Sequence, residues 1–114
     1  MNHLFIFLGG GFGALLRSSI FLGVSRFGVA TWAGTLVVNV IGSLVLLGLL
    51  PFFKELPENY SAFFRVGMLG ALTTFSTLAL DVLQLVKSGS YAQALLVVFL
   101  NIFFGIVVGV ILFK

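Results

Sequence analysis

The sequence predicts an all-α membrane protein: a single domain, residues 1–114, of four transmembrane helices with a broken third helix, working as an antiparallel, dual-topology dimer. Three observations carry this. Of the 114 residues 61% are hydrophobic and 8% charged, with a mean hydropathy of +1.27, whereas a soluble domain carries roughly a quarter charged residues. The apolar residues fall into four long blocks rather than short amphipathic stripes, each near the roughly 20 residues that cross about 30 Å of hydrocarbon. The third block alone is interrupted in its middle by a cluster of small and hydroxylated residues.

The first span is expected over residues 3–22. Its start resembles a secretory signal only superficially, because it has no cationic leader, its apolar stretch is long and no small-x-small cleavage pattern follows. A connection at Gly23 to Gly28 leads to the second span, 31–53. Pro57 and Glu58 mark the connection to the third, 63–86, and Lys87 to Ser90 that to the fourth, 91–113. The pairs Gly9-x-x-x-Gly13 and Gly105-x-x-x-Gly109 allow close helix approach without naming the helix approached.

Four spans put both termini on one face. Lys54, Arg65 and Lys114 belong to that face, and Arg17, Arg26 and Lys87 to the other. Three cations against three give the insertion machinery no preference, so copies are expected to enter both ways up. A lone four-helix bundle fills its centre with its own side chains, which makes a dimer the expected working unit for any polar pathway.

Several function classes are excluded. There is no cysteine and a single His3 near the amino terminus, so thiolate and imidazole metal sites are not expected. The net charge of +3 is small and dispersed, unlike the basic face of a nucleic-acid binder. The hydroxyls have no base beside them, so no enzyme is expected.

Polar groups inside the spans need a reason to be there, since buried polarity in lipid is costly. Asn39 and Ser43 lie four residues apart on one face of the second span, and Asn101 is central in the fourth. For each asparagine two readings compete, an interhelical hydrogen bond and a pore-lining donor. In the third span Gly67, Gly70, Thr73, Thr74, Ser76 and Thr77 surround Phe75. These weak helix formers favour a local break, whose freed carbonyls could hold a cation, although Ser and Thr also fit intact helices by back-bonding. Arg17 reads as snorkelling or as a vestibule cation that concentrates anions. Asp81 reads as a water-facing group near a helix end.

Taken together, Gly10-Gly11-x-Gly13-Ala14-x-x-Arg17, Gly34-Thr35-Leu36-x-Val38-Asn39-x-x-Gly42-Ser43 and Gly67-x-x-Gly70-Ala71-Leu72-Thr73-Thr74-Phe75-Ser76-Thr77 resemble the successive signatures of the CrcB/Fluc fluoride channels. The resemblance implies a multi-pass protein of a prokaryotic plasma membrane, a dual-topology homodimer in the lipid bilayer with two antiparallel pores that export toxic fluoride passively. It implies that Asn39 lines the pore, that Phe75 presents its ring edge to fluoride, and that Ser76 and Thr77 continue a polar track, with Asn101 beside it. It implies Arg17 in a vestibule and a structural Na+ at the dimer interface held by backbone carbonyls, the matching positions being Gly70 and Thr73. The family's glutamate after the motif is matched by Asp81. One departure stands out: Leu78 occupies the place of a second phenylalanine, so either a homodimer tolerates leucine or a paralogous subunit supplies the ring in a heterodimer. Two rivals remain: a small dual-topology multidrug-type exchanger, which needs a carboxylate in the first span where this chain has no acidic residue before Glu55, and a structural membrane subunit.

Overall fold

A computed structural model describes residues 2–114, and the described chain is helical with no strand. Helix α1 (His3–Ser25) starts where the Asn2 side chain accepts a hydrogen bond from the Leu4 N–H at 2.9 Å, meeting one of the donors that every helix start leaves open. A turn with Gly28 at φ +68° leads to α2 (Trp32–Glu55), which carries Pro51 in its final turns and Lys54 in its last. The Leu56-Pro57 corner follows, with Leu56 extended as the residue before a proline must be.

The third span runs from Glu58 to Lys87 and is two helices. Helix α3 covers residues 58–72, and its stretch Ala62–Leu69 has π-helical geometry. Thr73 and Thr74 are extended, with ψ of 152° and 117°, and α4 (Phe75–Lys87) then begins. Gly89, at φ +81°, turns the chain, and the Ser90 N–H closes the helix end on the Leu85 carbonyl at 2.8 Å. Helix α5 (Tyr91–Phe113) completes the chain, with a second π-helical stretch at Phe103–Val107 just beyond Asn101. The four spans are long and apolar enough to cross a membrane, and the chain's 48 Å long dimension matches about 40–45 Å of bilayer including headgroups. The first three helices outlast the apolar blocks at one end or both, because a helix does not stop where hydrocarbon does. It stops where a proline, a positive-φ glycine or a cap intervenes.

Both small-xxx-small pairs face helices of the same chain. A Cβ on Gly9 would collide with the Phe63 carbonyl, and one on Gly13 with that of Met68, so α1 lies directly on the π-helical stretch of α3. Gly67 returns the contact, its face set against the backbone of Ile6 and Gly9. On α5, Gly109 faces the Leu44 and Leu47 side chains of α2, into which a Cβ would push, whereas Gly105 lies beside Ser43 at ordinary van der Waals distance. The core between them is small, built on Val38, Phe53, Leu69 and Leu72. Large apolar side chains such as Phe7, Leu15 and Leu95 face outward, as they should where the solvent is lipid.

Candidate functional site

The break at Thr73 and Thr74 organises the polar residues. Two extended residues in mid-span release backbone groups that hydrocarbon cannot satisfy, and α2 supplies the remedy. The Asn39 Oδ1 accepts the Thr74 N–H at 2.7 Å, and its Nδ2 donates to the Thr74 carbonyl at 3.1 Å. One amide thus gives Thr74 the two bonds a neighbouring strand would give. The second Nδ2 proton goes to Asn101 Oδ1 at 2.9 Å, while Asn101 Nδ2 donates to the Val97 carbonyl one turn back, at 2.8 Å. The hydrogen-bonding reading of both asparagines is therefore visible directly: both Asn39 N–H groups are engaged, and Asn101 is buried.

The threonines divide two tasks. Thr73 back-bonds through Oγ1 to the Leu69 carbonyl at 3.1 Å. Thr74 Oγ1 caps α4 by accepting the Thr77 N–H at 3.2 Å, donates to Thr77 Oγ1 at 3.1 Å and lies 3.2 Å from Ser76 Oγ. These bonds divert donors that an unbroken helix would send elsewhere. The Thr74 N–H would reach the Gly70 carbonyl and the Thr77 N–H the Thr73 carbonyl. Gly70 and Thr73 thereby lose their helical partners, leaving two hard oxygen donors of the kind that suits an alkali cation.

Outside the clamp lies a cleft of about 290 Å³ whose walls include Asn39, Ser43, Thr73, Phe75, Leu78 and Asn101. Phe75 stands at its edge with 82% of its surface exposed, and Ser76 is exposed beside it, whereas Thr77 and Leu78 are half-buried. On the far side of Thr77 a second cleft of about 390 Å³ opens between α1, α2 and α4, lined by Ser18, Thr31, Thr35, Thr77 and Asp81. Here the structure corrects the sequence reading. Asp81 is 5% exposed rather than water-facing, and it accepts a 2.6 Å hydrogen bond from the fully buried Thr35 hydroxyl. A thirteen-residue α4 packed on α2 keeps position 81 inside the bundle although it lies close to the chain turn. Arg17 is half-buried on α1, next to Ser18 but not itself lining either cleft.

Thr35 is the site residue that sequence reasoning passed over, since it enters only as a letter of a motif. The signal was present: Thr35, Asn39 and Ser43 repeat every four residues and form one polar stripe along α2. In the structure Asn39 and Ser43 line the first cleft and Thr35 the second, and a hydrogen-bonded chain from Asn101 through Asn39 and Thr74 to Thr77 links the two. Thr35→Val should leave a buried carboxylate without its donor and cost about 1–3 kcal/mol, read as a lower thermal unfolding midpoint in detergent. An unchanged midpoint would show that water serves Asp81 equally well.

Among the described residues no three His, Cys, Asp or Glu side chains converge on a common point. Residues 4–112 match the family model described as CrcB-like protein, Camphor Resistance (CrcB). The chain is 44% identical to a protein of Shewanella woodyi named fluoride-specific ion channel FluC, over 89% of this chain and 84% of that one. Proteins of the same name from a Methylobacterium species and a Nitratiruptor species are each 38% identical, the first over 93% of this chain and 88% of its own length, the second over 100% and 95%.

Proposed function

This chain belongs to the CrcB-like family, whose members compared above are named as ion channels and not as enzymes, and from that premise we propose that it conducts fluoride passively across the membrane that its four spans cross. The working unit in this proposal is a homodimer of oppositely inserted copies, in a prokaryotic plasma membrane, with two antiparallel pores. The observation that carries it is the exposed flank of the broken helix. Phe75, Ser76 and Gly70 are exposed, and Thr73 half-buried, at the middle of a membrane span, and lipid cannot satisfy the Gly70 and Thr73 carbonyls that the break releases there. A second copy can. The equal division of cations between the two faces supports opposite insertion of the copies.

Fluoride is small and strongly hydrated, so a pore must replace water with donors. In the proposed pathway the ion meets the Phe75 ring edge, which is electropositive, and the hydroxyls of Ser76 and Thr77, which donate as readily as they accept. Asn39 and Asn101 form the inner wall of the cleft. An ion reaching them exchanges one neutral hydrogen bond of Asn39 for another, which costs little. Weak donors in series let the ion leave as easily as it enters, and no lysine or arginine lines this cleft to trap it. Arg17 holds positive potential toward the entrance. The Gly70 and Thr73 carbonyls of both copies would hold a structural Na+ at the dimer centre, and that ion would supply fixed positive charge between the subunits.

The test is fluoride release from proteoliposomes containing this polypeptide alone, followed with a fluoride electrode. Release that ignores chloride supports the reading, and liposomes that keep their fluoride overturn it. The same assay addresses Leu78, the half-buried residue of the cleft that a homodimer leaves without a second aromatic. Leu78→Phe is expected to conduct as well as the parent or up to about fivefold faster, the equivalent of about 1 kcal/mol of aromatic interaction. A silent Leu78→Phe channel would mean that leucine is required for packing. Full activity only after a second, different subunit is added would favour the heterodimer.

A further inference from the structure

Away from both clefts of the pathway, the last turn of α2, the Leu56-Pro57 corner and the first turns of α3 enclose a third cleft of about 320 Å³. It shares no lining residue with the other two. Lys54, Ser61 and Arg65 face it, and Leu56, Ala62 and Val66 make its apolar wall. Lys54 and Arg65 are both exposed, and neither side chain makes a hydrogen bond or ion pair among the described residues. The Glu58 carboxylate lines the same cleft, leaving two positive charges against one negative.

We propose that this cleft binds the headgroup phosphate of an anionic phospholipid. The chemistry is that of a phosphodiester. A guanidinium offers a planar fork to two phosphate oxygens, an ammonium adds a compact charge, and the Ser61 hydroxyl adds a neutral donor. Position selects a lipid over a free anion. Arg65 lies inside the third span, one helical stretch below its start, so its long side chain must extend toward headgroup depth to keep its charge solvated. Val66, 48% exposed, carries the cleft wall onto the acyl-facing surface of α3. A ligand that fills both parts is charged at the end near Lys54 and apolar along Val66, and basic pockets between membrane helices bind such headgroups. Occupancy would pin the corner between α2 and α3, the support from which the broken third span starts.

The experiment uses the purified full chain in a neutral detergent and follows its thermal unfolding midpoint while lipid is added. Phosphatidylglycerol should raise the midpoint and phosphatidylcholine should not. Lys54→Gln combined with Arg65→Gln should require at least about tenfold more phosphatidylglycerol for half the shift, given the strength of basic side chains toward anionic headgroups. Arg26→Gln combined with Lys87→Gln, which removes two cations from the opposite face, should leave the titration unchanged. If the first double variant does not fold, Arg65→Gln alone should still weaken the response severalfold. The proposal fails if the Lys54 and Arg65 variants respond like the parent, if the Arg26 and Lys87 control weakens the response as much, or if inorganic phosphate reproduces the whole shift.

Discussion

Asn39→Asp should end fluoride release, by at least about a hundredfold, which corresponds to about 2.7 kcal/mol on the conduction barrier. The change is small in volume and large in hydrogen bonding. Asn39 donates to the Thr74 carbonyl and to Asn101 Oδ1, and an aspartate carboxylate can only accept. Two oxygens would then face a negative charge, each contact losing about 1–3 kcal/mol. Thr74 would keep the bond from its N–H to Asn39 Oδ1, so the break persists, loosened. A fixed carboxylate in the cleft wall would also repel an entering anion. The variant should still elute folded and in the same oligomeric state as the parent, with a lowered unfolding midpoint. Normal flux from it would remove Asn39 from the pathway.

Phe75→Ile should be equally silent in the flux assay for the opposite structural reason. The ring is 82% exposed on the single chain and in the proposed dimer borders the ion path rather than the packed core, so its removal leaves no cavity within the bundle and the unfolding midpoint of the variant should change little. What disappears is the electropositive ring edge at the mouth of the cleft. A full charge interacts with that edge more strongly than a second ring does, for which about 0.5–1.5 kcal/mol is typical, and isoleucine offers nothing in exchange. The two variants separate the two roles of the site, since Asn39→Asp should weaken both fold and flux and Phe75→Ile flux alone. Retained flux in the Phe75 variant would place the ion path elsewhere on the subunit.

Much of this arrangement was legible in the residues themselves. Weak helix formers around Phe75 predict a break, and the break is there at Thr73 and Thr74. For Asn39 and Asn101 the sequence left an interhelical hydrogen bond and a pore-lining donor as competing readings, and the structure shows the bond, at 2.9 Å. Other features could not be read. Nothing in the sequence says that Asn39 would serve the Thr74 backbone first, because that needs α2 and the third span at one depth and one rotation. Asp81 looked exposed because a carboxylate near a chain turn usually is. Its burial depends on Thr35, forty-six residues away, waiting with a hydroxyl. The glycine pairs announced close packing but not its partner, and both turned inward.

The division has a simple physical origin. Hydropathy, helix propensity and charge count are sums over neighbours along the chain, so the sequence alone determined four membrane-crossing helices, an interruption in the third and an even balance of cations. Which side chain satisfies which released backbone group is a matter of distance across the bundle. Only the packed helices, with Gly9, Gly13 and Gly67 joining α1 to α3 and Gly42 bringing α2 against Thr73, decided that Asn39 clamps Thr74, that Thr35 holds Asp81, and that Phe75 is left facing out.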